Sequence, residues 1–133
     1  LCESAILGAG LGLSIAGMKA VVEMQFADFV TCGFNQIINN LAKIHWRWGQ
    51  NADVVVRMPT GAGTAAGPFH SQSNEAWFFH TPGLKILYPS SPADAKGLKT
   101  RPMLVHPLQQ QCCQLVTRTL SRHHANAQRL RVH

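Results

Sequence analysis

Proton chemistry in this chain could fall to a lone carboxylate, Glu3, and to two histidines, His70 and His80, with an aromatic pair, Phe26 and Phe29, between them. Glu3 is followed by Ala5-Ile-Leu-Gly-Ala-Gly-Leu-Gly-Leu-Ser-Ile-Ala-Gly17, a run with no charge to pair with it. If that run is buried, desolvation raises the carboxyl pKa and suits the acid to proton transfer near neutrality. The plainer reading places Glu3 at an exposed first helical turn, where its charge favours the helix dipole. His70 arrives at the end of Thr60-Gly-Ala-Gly-Thr-Ala-Ala-Gly-Pro-Phe69 and is followed by Ser-Gln-Ser73. A loop this long and small-residued tends to be functional inside a compact domain. Against that, a single histidine is most often an ordinary surface or core residue.

Positioning these groups falls to alternating helices and strands. Residues 5 to 18 carry small residues too closely spaced for a surface helix and fit a buried one packed on a sheet. Gly8-Ala-Gly10-Leu-Gly12 is not the GxGxxG pattern, so a dinucleotide fingerprint is weak. Ala20 to Phe26 reads as a strand. Asp28 stands where an N-cap should, and Val30, Phe34, Ile37, Ile38, Leu41 and Ile44 recur with helical period, which predicts one helix running to Gly49. A second strand spans Asp53 to Met58. A short helix follows at Asn74 to His80, then the breaker Pro82-Gly83, a strand at Lys85 to Tyr88, and a helix from Pro92 to Lys99 capped by Ser91. This order predicts an α/β fold with a mostly parallel sheet flanked by helices and functional loops at the carboxyl ends of the strands.

With 133 residues, 46% of them apolar, the chain has enough for one modest core. The stretch from Leu1 to Gly17 is broken by glycines and holds Glu3, which argues against a membrane span. It also lacks the basic flank of a signal peptide, so a soluble, cytoplasmic protein is expected. Residues 1–100 hold seven Lys or Arg against all six acids, whereas residues 101–133 hold five Arg and no acid, so the net charge of +6 belongs to the tail. No aromatic interleaves the basic stretch Leu115 to Leu130, a candidate amphipathic helix, so stacking on nucleic acid is disfavoured. Cys2, Cys32, Cys112 and Cys113 lack CxxC spacing and read as reduced thiols, and His123-His124 with Cys112-Cys113 lacks metal-ligand spacing.

Taken together, Glu3 before the Gly-rich helix, Glu23-Met-Gln-Phe-Ala-Asp-Phe29, Phe34-Asn-Gln-Ile-Ile-Asn39, Arg57-Met-Pro-Thr-Gly61, His70-Ser-Gln-Ser73 and His80-Thr-Pro-Gly-Leu-Lys85 through Asp94-Ala-Lys-Gly-Leu98 resemble one family. It is the β subunits of thiamine diphosphate-dependent 2-oxo acid dehydrogenases, built on a transketolase-like pyrimidine-binding domain. The resemblance implies that Glu3 hydrogen-bonds the aminopyrimidine of thiamine diphosphate and drives it to the imino tautomer, that Phe29 stacks on that ring, and that Leu1 lies near it. It further implies that His70 approaches the reacting carbons. Gln36 and His80 are supporting candidates beside the pocket, and a potassium ion can be held by carbonyls around Asp53 to Val55. No metal-ligating side chains are assigned.

The family's diphosphate and Mg²⁺ motif, Gly-Asp-Gly followed by Asn, is absent from the chain. In this family it sits on an α subunit, so the resemblance implies a cofactor shared in a heterotetramer, with a lipoyl-bearing acyltransferase as the next partner. The implied reaction is oxidative decarboxylation of a 2-oxo acid, branched-chain ahead of pyruvate, in the cytoplasm or, in a eukaryote, the mitochondrial matrix. Resemblance stops after Thr100. Residues 1–100 are therefore expected to be a partial pyrimidine-binding domain, incomplete at both ends and inactive alone. Residues 101–133 are expected to be a basic tail of foreign composition, as a frameshift or gene truncation would leave. Two other readings stay open: an inactive gene fragment, or a module whose tail binds nucleic acid or an acidic surface.

Overall fold

Gly10 sits where helix α1 (Glu3–Ile15) crosses the sheet. A Cβ there would lie 2.9 Å from Val22 Cγ1 and 3.4 Å from Val54 Cγ1, so only a residue without a side chain lets the helix settle this low. The computed structural model describes residues 2–61, 63, 65–91, 93–94 and 112–117. Among these, β1 (Ala20–Glu23), β2 (Val54–Pro59), β3 (Leu84–Leu87) and β4 (Cys112–Thr117) form one sheet in the order β1-β2-β4-β3. β1 pairs with β2 in parallel, Ala20 opposite Val54 and Glu23 opposite Arg57. β4 runs antiparallel to both β2 and β3, so β1, β2 and β3 share one direction and β4 alone opposes it. The expected α/β class holds, with three of the four strands pointing one way and β1–β2 the parallel pair. β4 comes from within the tail that the sequence reading set apart. Residues 115–117 are thus strand rather than the start of a helix, and residues 118–130 lie outside the described set.

The core gathers on β2. Val54, Val55, Val56 and Met58 are all buried, as in a strand covered on both faces, and Leu7, Leu11, Met24, Val30, Ile37, Leu41 and Phe78 close around it. Ser14 is buried on the inner side of α1, where its Oγ accepts the Asp53 N–H at 2.7 Å and ties the helix to the entry of β2.

The single helix expected over 28–49 is instead three pieces: a 3-10 helix at Ala27–Gly33, a π-helical stretch at Gln36–Leu41 and a short α2 (Ile44–Trp48) ended by Gly49 at φ 69. Burial explains the change of pitch. Ala27, Val30 and Gly33 are buried every third residue, matching three residues per turn, and Ile37 and Leu41 follow four apart. Gly33 forces the tight part, since a Cβ there would run into Leu7 and come within 3.4 Å of the Glu3 carbonyl oxygen. Asp28 is not the N-cap. Phe26 holds that position, and the Asp28 side chain is used elsewhere. The hydroxyl of Ser91 does accept the Asp94 N–H at 3.1 Å, as a cap would, while the helix expected to Lys99 lies beyond the described residues.

Candidate functional site

Because β1 and β2 are parallel neighbours, their carboxyl ends open on the same edge of the sheet, the usual place for a ligand in such folds. The chain leaving β1 carries Phe26 to Phe29. The chain leaving β2 carries the loop that ends at His70. The neck of that loop is closed by Thr60, buried, whose Oγ1 donates to the Gln72 carbonyl at 2.6 Å while the Gly61 N–H donates to the same oxygen at 3.2 Å. Within it Ala65 and Gly67 adopt φ 48 and 73, the Ala66 N–H donates to Ser71 Oγ at 3.2 Å, and α3 (Gly67–His70) places His70 at its last position. Replacing Thr60 with Val keeps the volume and removes one neck hydrogen bond. The expected cost is about 1 kcal/mol, with faster amide exchange across residues 61–73 than in the wild type. Unchanged exchange would show that the hydroxyl does not hold the loop.

His70 is held on a face and on an edge. Phe26 stacks on its ring with centroids 4.3 Å apart and planes at 19°, and Phe29 leans against it at 5.4 Å and 54°. Its Nδ1 lies 3.0 Å from Asp28 Oδ1, with side-chain exposures of 33% for His70 and 16% for Asp28, so water reaches the pair only in part.

Glu3 approaches from the other end of the same 3-10 helix. It is the half-buried first residue of α1, against Gly33, and four residues of 3-10 rise, roughly 8 Å, separate Gly33 from Phe29. The raised carboxyl pKa expected there is corrected. Hydrogen bonds from the chain's amino terminus and then from the Glu3 backbone hold the carboxyl below its ordinary range, outweighing desolvation.

The structure thus brings His70, Phe29 and Phe26 together, with Glu3 at the far end of the helix that carries the rings. It does not join the other candidates to them by any described contact. Gln36 is half-buried on the π turn, where its Oε1 accepts from Asn40 Nδ2 at 2.6 Å. His80 is exposed in the turn after the 3-10 segment Glu75–Phe78. Leu1 lies outside the described residues. Asp28 is the functional candidate that sequence reasoning missed, since an acid after a strand reads first as a cap. Among the described residues no group of three or more His, Cys, Asp or Glu could hold a metal ion, and no helix is long and apolar enough to cross a membrane.

The sequence profile of the family described as the transketolase pyrimidine-binding domain matches residues 1–120, and the chain belongs to that family. Within it, the chain is similar to β subunits of 2-oxoisovalerate dehydrogenase. It is 51% identical over 100 residues to that of Bacillus subtilis, covering 74% of this chain and 31% of the relative. It is 45% identical over 101 residues to the mitochondrial β subunit 2 of Arabidopsis thaliana, covering 74% and 28%. The β subunit of acetoin:2,6-dichlorophenolindophenol oxidoreductase from Cupriavidus necator is 44% identical over 100 residues, covering 74% and 30%. This chain spans less than a third of the length of each of these relatives.

Proposed function

We propose that this chain is the pyrimidine-side part of a β-type component in a thiamine diphosphate-dependent 2-oxo acid dehydrogenase, with a branched-chain 2-oxo acid as substrate and pyruvate next. The observation that carries the proposal is the ring cluster: Phe29 and His70, 5.4 Å apart, at the shared carboxyl edge of two parallel strands, one helix away from Glu3. The donor set fits the aminopyrimidine end of the cofactor. One carboxylate and an aromatic face suit an aminopyrimidine, and the diphosphate end is assigned to a partner subunit.

When bound, thiamine diphosphate supplies a carbon nucleophile for the keto carbon, and an α subunit supplies the diphosphate and Mg²⁺ end. Here Glu3 exchanges a proton with a ring nitrogen of the aminopyrimidine through its carboxyl oxygen. Phe29 offers its face to that ring. His70 moves a proton at Nε2, the nitrogen away from Asp28, and Phe26 covers the imidazole and limits water at it. A potassium ion held by backbone carbonyls around Asp53 to Val55 belongs to this reading, and no step is routed through it. The remaining partners of this reading are a lipoyl-bearing acyltransferase and a second αβ pair. Its place is the cytoplasm, or the mitochondrial matrix in a eukaryote; the relative from Arabidopsis is named as mitochondrial. Residues 1–100 together with β4 (Cys112–Thr117) serve as the partial domain, and the rest of 101–133 is a basic extension.

The likeness to an acetoin oxidoreductase subunit favours a second reading in which acetoin replaces the 2-oxo acid. One experiment separates the two. The chain is co-expressed with the α subunit of a 2-oxoisovalerate dehydrogenase, and dye reduction is followed with 2-oxoisovalerate, pyruvate and acetoin, with and without thiamine diphosphate. Cofactor-dependent turnover greatest with 2-oxoisovalerate is expected. Turnover with acetoin alone would replace the first reading by the second, and neither activity nor cofactor retention in the co-purified complex would sink both.

A further inference from the structure

The contact between Asp28 and His70 has a consequence for the imidazole that its position in sequence does not suggest. A carboxylate has no proton to give, so Nδ1 must be the donor across the 3.0 Å separation. In a neutral ring one nitrogen carries the proton and the other the lone pair. With Nδ1 committed to Asp28, the lone pair stands on Nε2. The ring plane is set independently, by Phe26 stacked at 4.3 Å and 19° and by Phe29 at 5.4 Å. Rotation of the imidazole that would exchange the nitrogens has to break the carboxylate contact, and tilting it has to break the stack.

We infer that Asp28 is a positioning residue for His70: it fixes the imidazole in the Nδ1–H tautomer, so that Nε2 is the atom presented for proton transfer. The consequence for turnover rests on the function proposed above; the tautomer itself does not. A structural role alone would explain a hydrogen bond at a strand end. It would not require that the acid, rather than any side chain of its size, stand at that place. Asparagine fits the same space, and its amide can present either an acceptor or a donor, so Asp28→Asn removes the bias while keeping the shape.

The test has two arms on the full chain. In the first, ¹⁵N shifts of the His70 ring nitrogens are recorded on the isolated protein in alkaline buffer, with the imidazole neutral. The wild type is expected to show a protonated Nδ1 and a bare Nε2, and Asp28→Asn and Asp28→Ala to show a mixture or the reverse. A wild-type ring protonated on Nε2, or shifts unmoved in both variants, would overturn the inference. In the second arm, the variants are assayed in the co-expressed complex. A fall in kcat on the order of 100-fold with KM little changed is expected for Asp28→Asn. A changed tautomer with unchanged kcat would overturn the positioning role. Should the wild-type complex itself be inactive, the proposed function fails and the ring shifts still decide whether Asp28 sets the tautomer.

Discussion

In the complex proposed above, replacing Glu3 with glutamine is expected to abolish decarboxylation, lowering turnover by at least about 100-fold, while assembly with the α subunit is spared. Glutamine has nearly the same shape and can still form hydrogen bonds, but it cannot take up and return a proton. A variant with retained activity would remove Glu3 from the chemistry. Its electrostatic setting sharpens the test. The carboxyl is held below its usual range, first by the amino terminus and then by its own backbone N–H. A folded pKa lowered in this way favours the native state above the unfolded value, and that contribution is lost as pH falls through the folded value. A ¹³C titration is expected to find the Glu3 carboxyl below the ordinary glutamate range, and a value at or above that range would remove this setting.

The largest structural loss is expected from Gly83→Ala. Gly83 turns the chain into β3 at φ 96, and a Cβ there would collide with the carbonyl of Ala42, which closes the π-helical stretch. The obstacle is backbone, so no rotamer change relieves it. The positive φ costs roughly 1–2 kcal/mol and the overpacking roughly 1–3 more, against a total stability of about 5–15 kcal/mol for an ordinary domain. A fall in Tm of about 10 °C or more follows. Gly49 supplies the control, because it has φ 69 with nothing within 4 Å of its would-be Cβ. If Gly83→Ala costs no more than Gly49→Ala, the close approach to Ala42 is not a constraint.

β1, β2 and β3 were legible because their signals are local, whereas β4, in the tail set apart as foreign, was not. Val54 to Met58 is a run of β-branched and apolar residues bounded by proline, and it sits within one residue of its expected place as β2. The long helix was misread for a physical reason: Val30, Phe34, Ile37, Leu41 and Ile44 fit an α-helical stripe, and nothing local announces that Gly33 must press against Glu3 and Leu7. Tertiary contact, not propensity, split the helix into 3-10 and π segments. The site divides in the same way. His70 could be suspected from its loop, but its partner Asp28 lies 42 residues away and looked like a cap. The pKa of Glu3 was misjudged because apolar neighbours in sequence were counted and the donors at its own helix start were not.

The strand order has a consequence in time. β4 stands between β2 and β3, so the two inner edges it covers stay open until the chain has been made past Thr117. A ribosome-bound chain ending at residue 100 would hold β1 and β2 as a pair with one edge of β2 exposed, and such edges recruit other strands. Sheet completion therefore waits on pairings between residues far apart in sequence, the kind that form slowly. During that interval the uncovered edges of β2 and β3 are the places where another chain could add a strand.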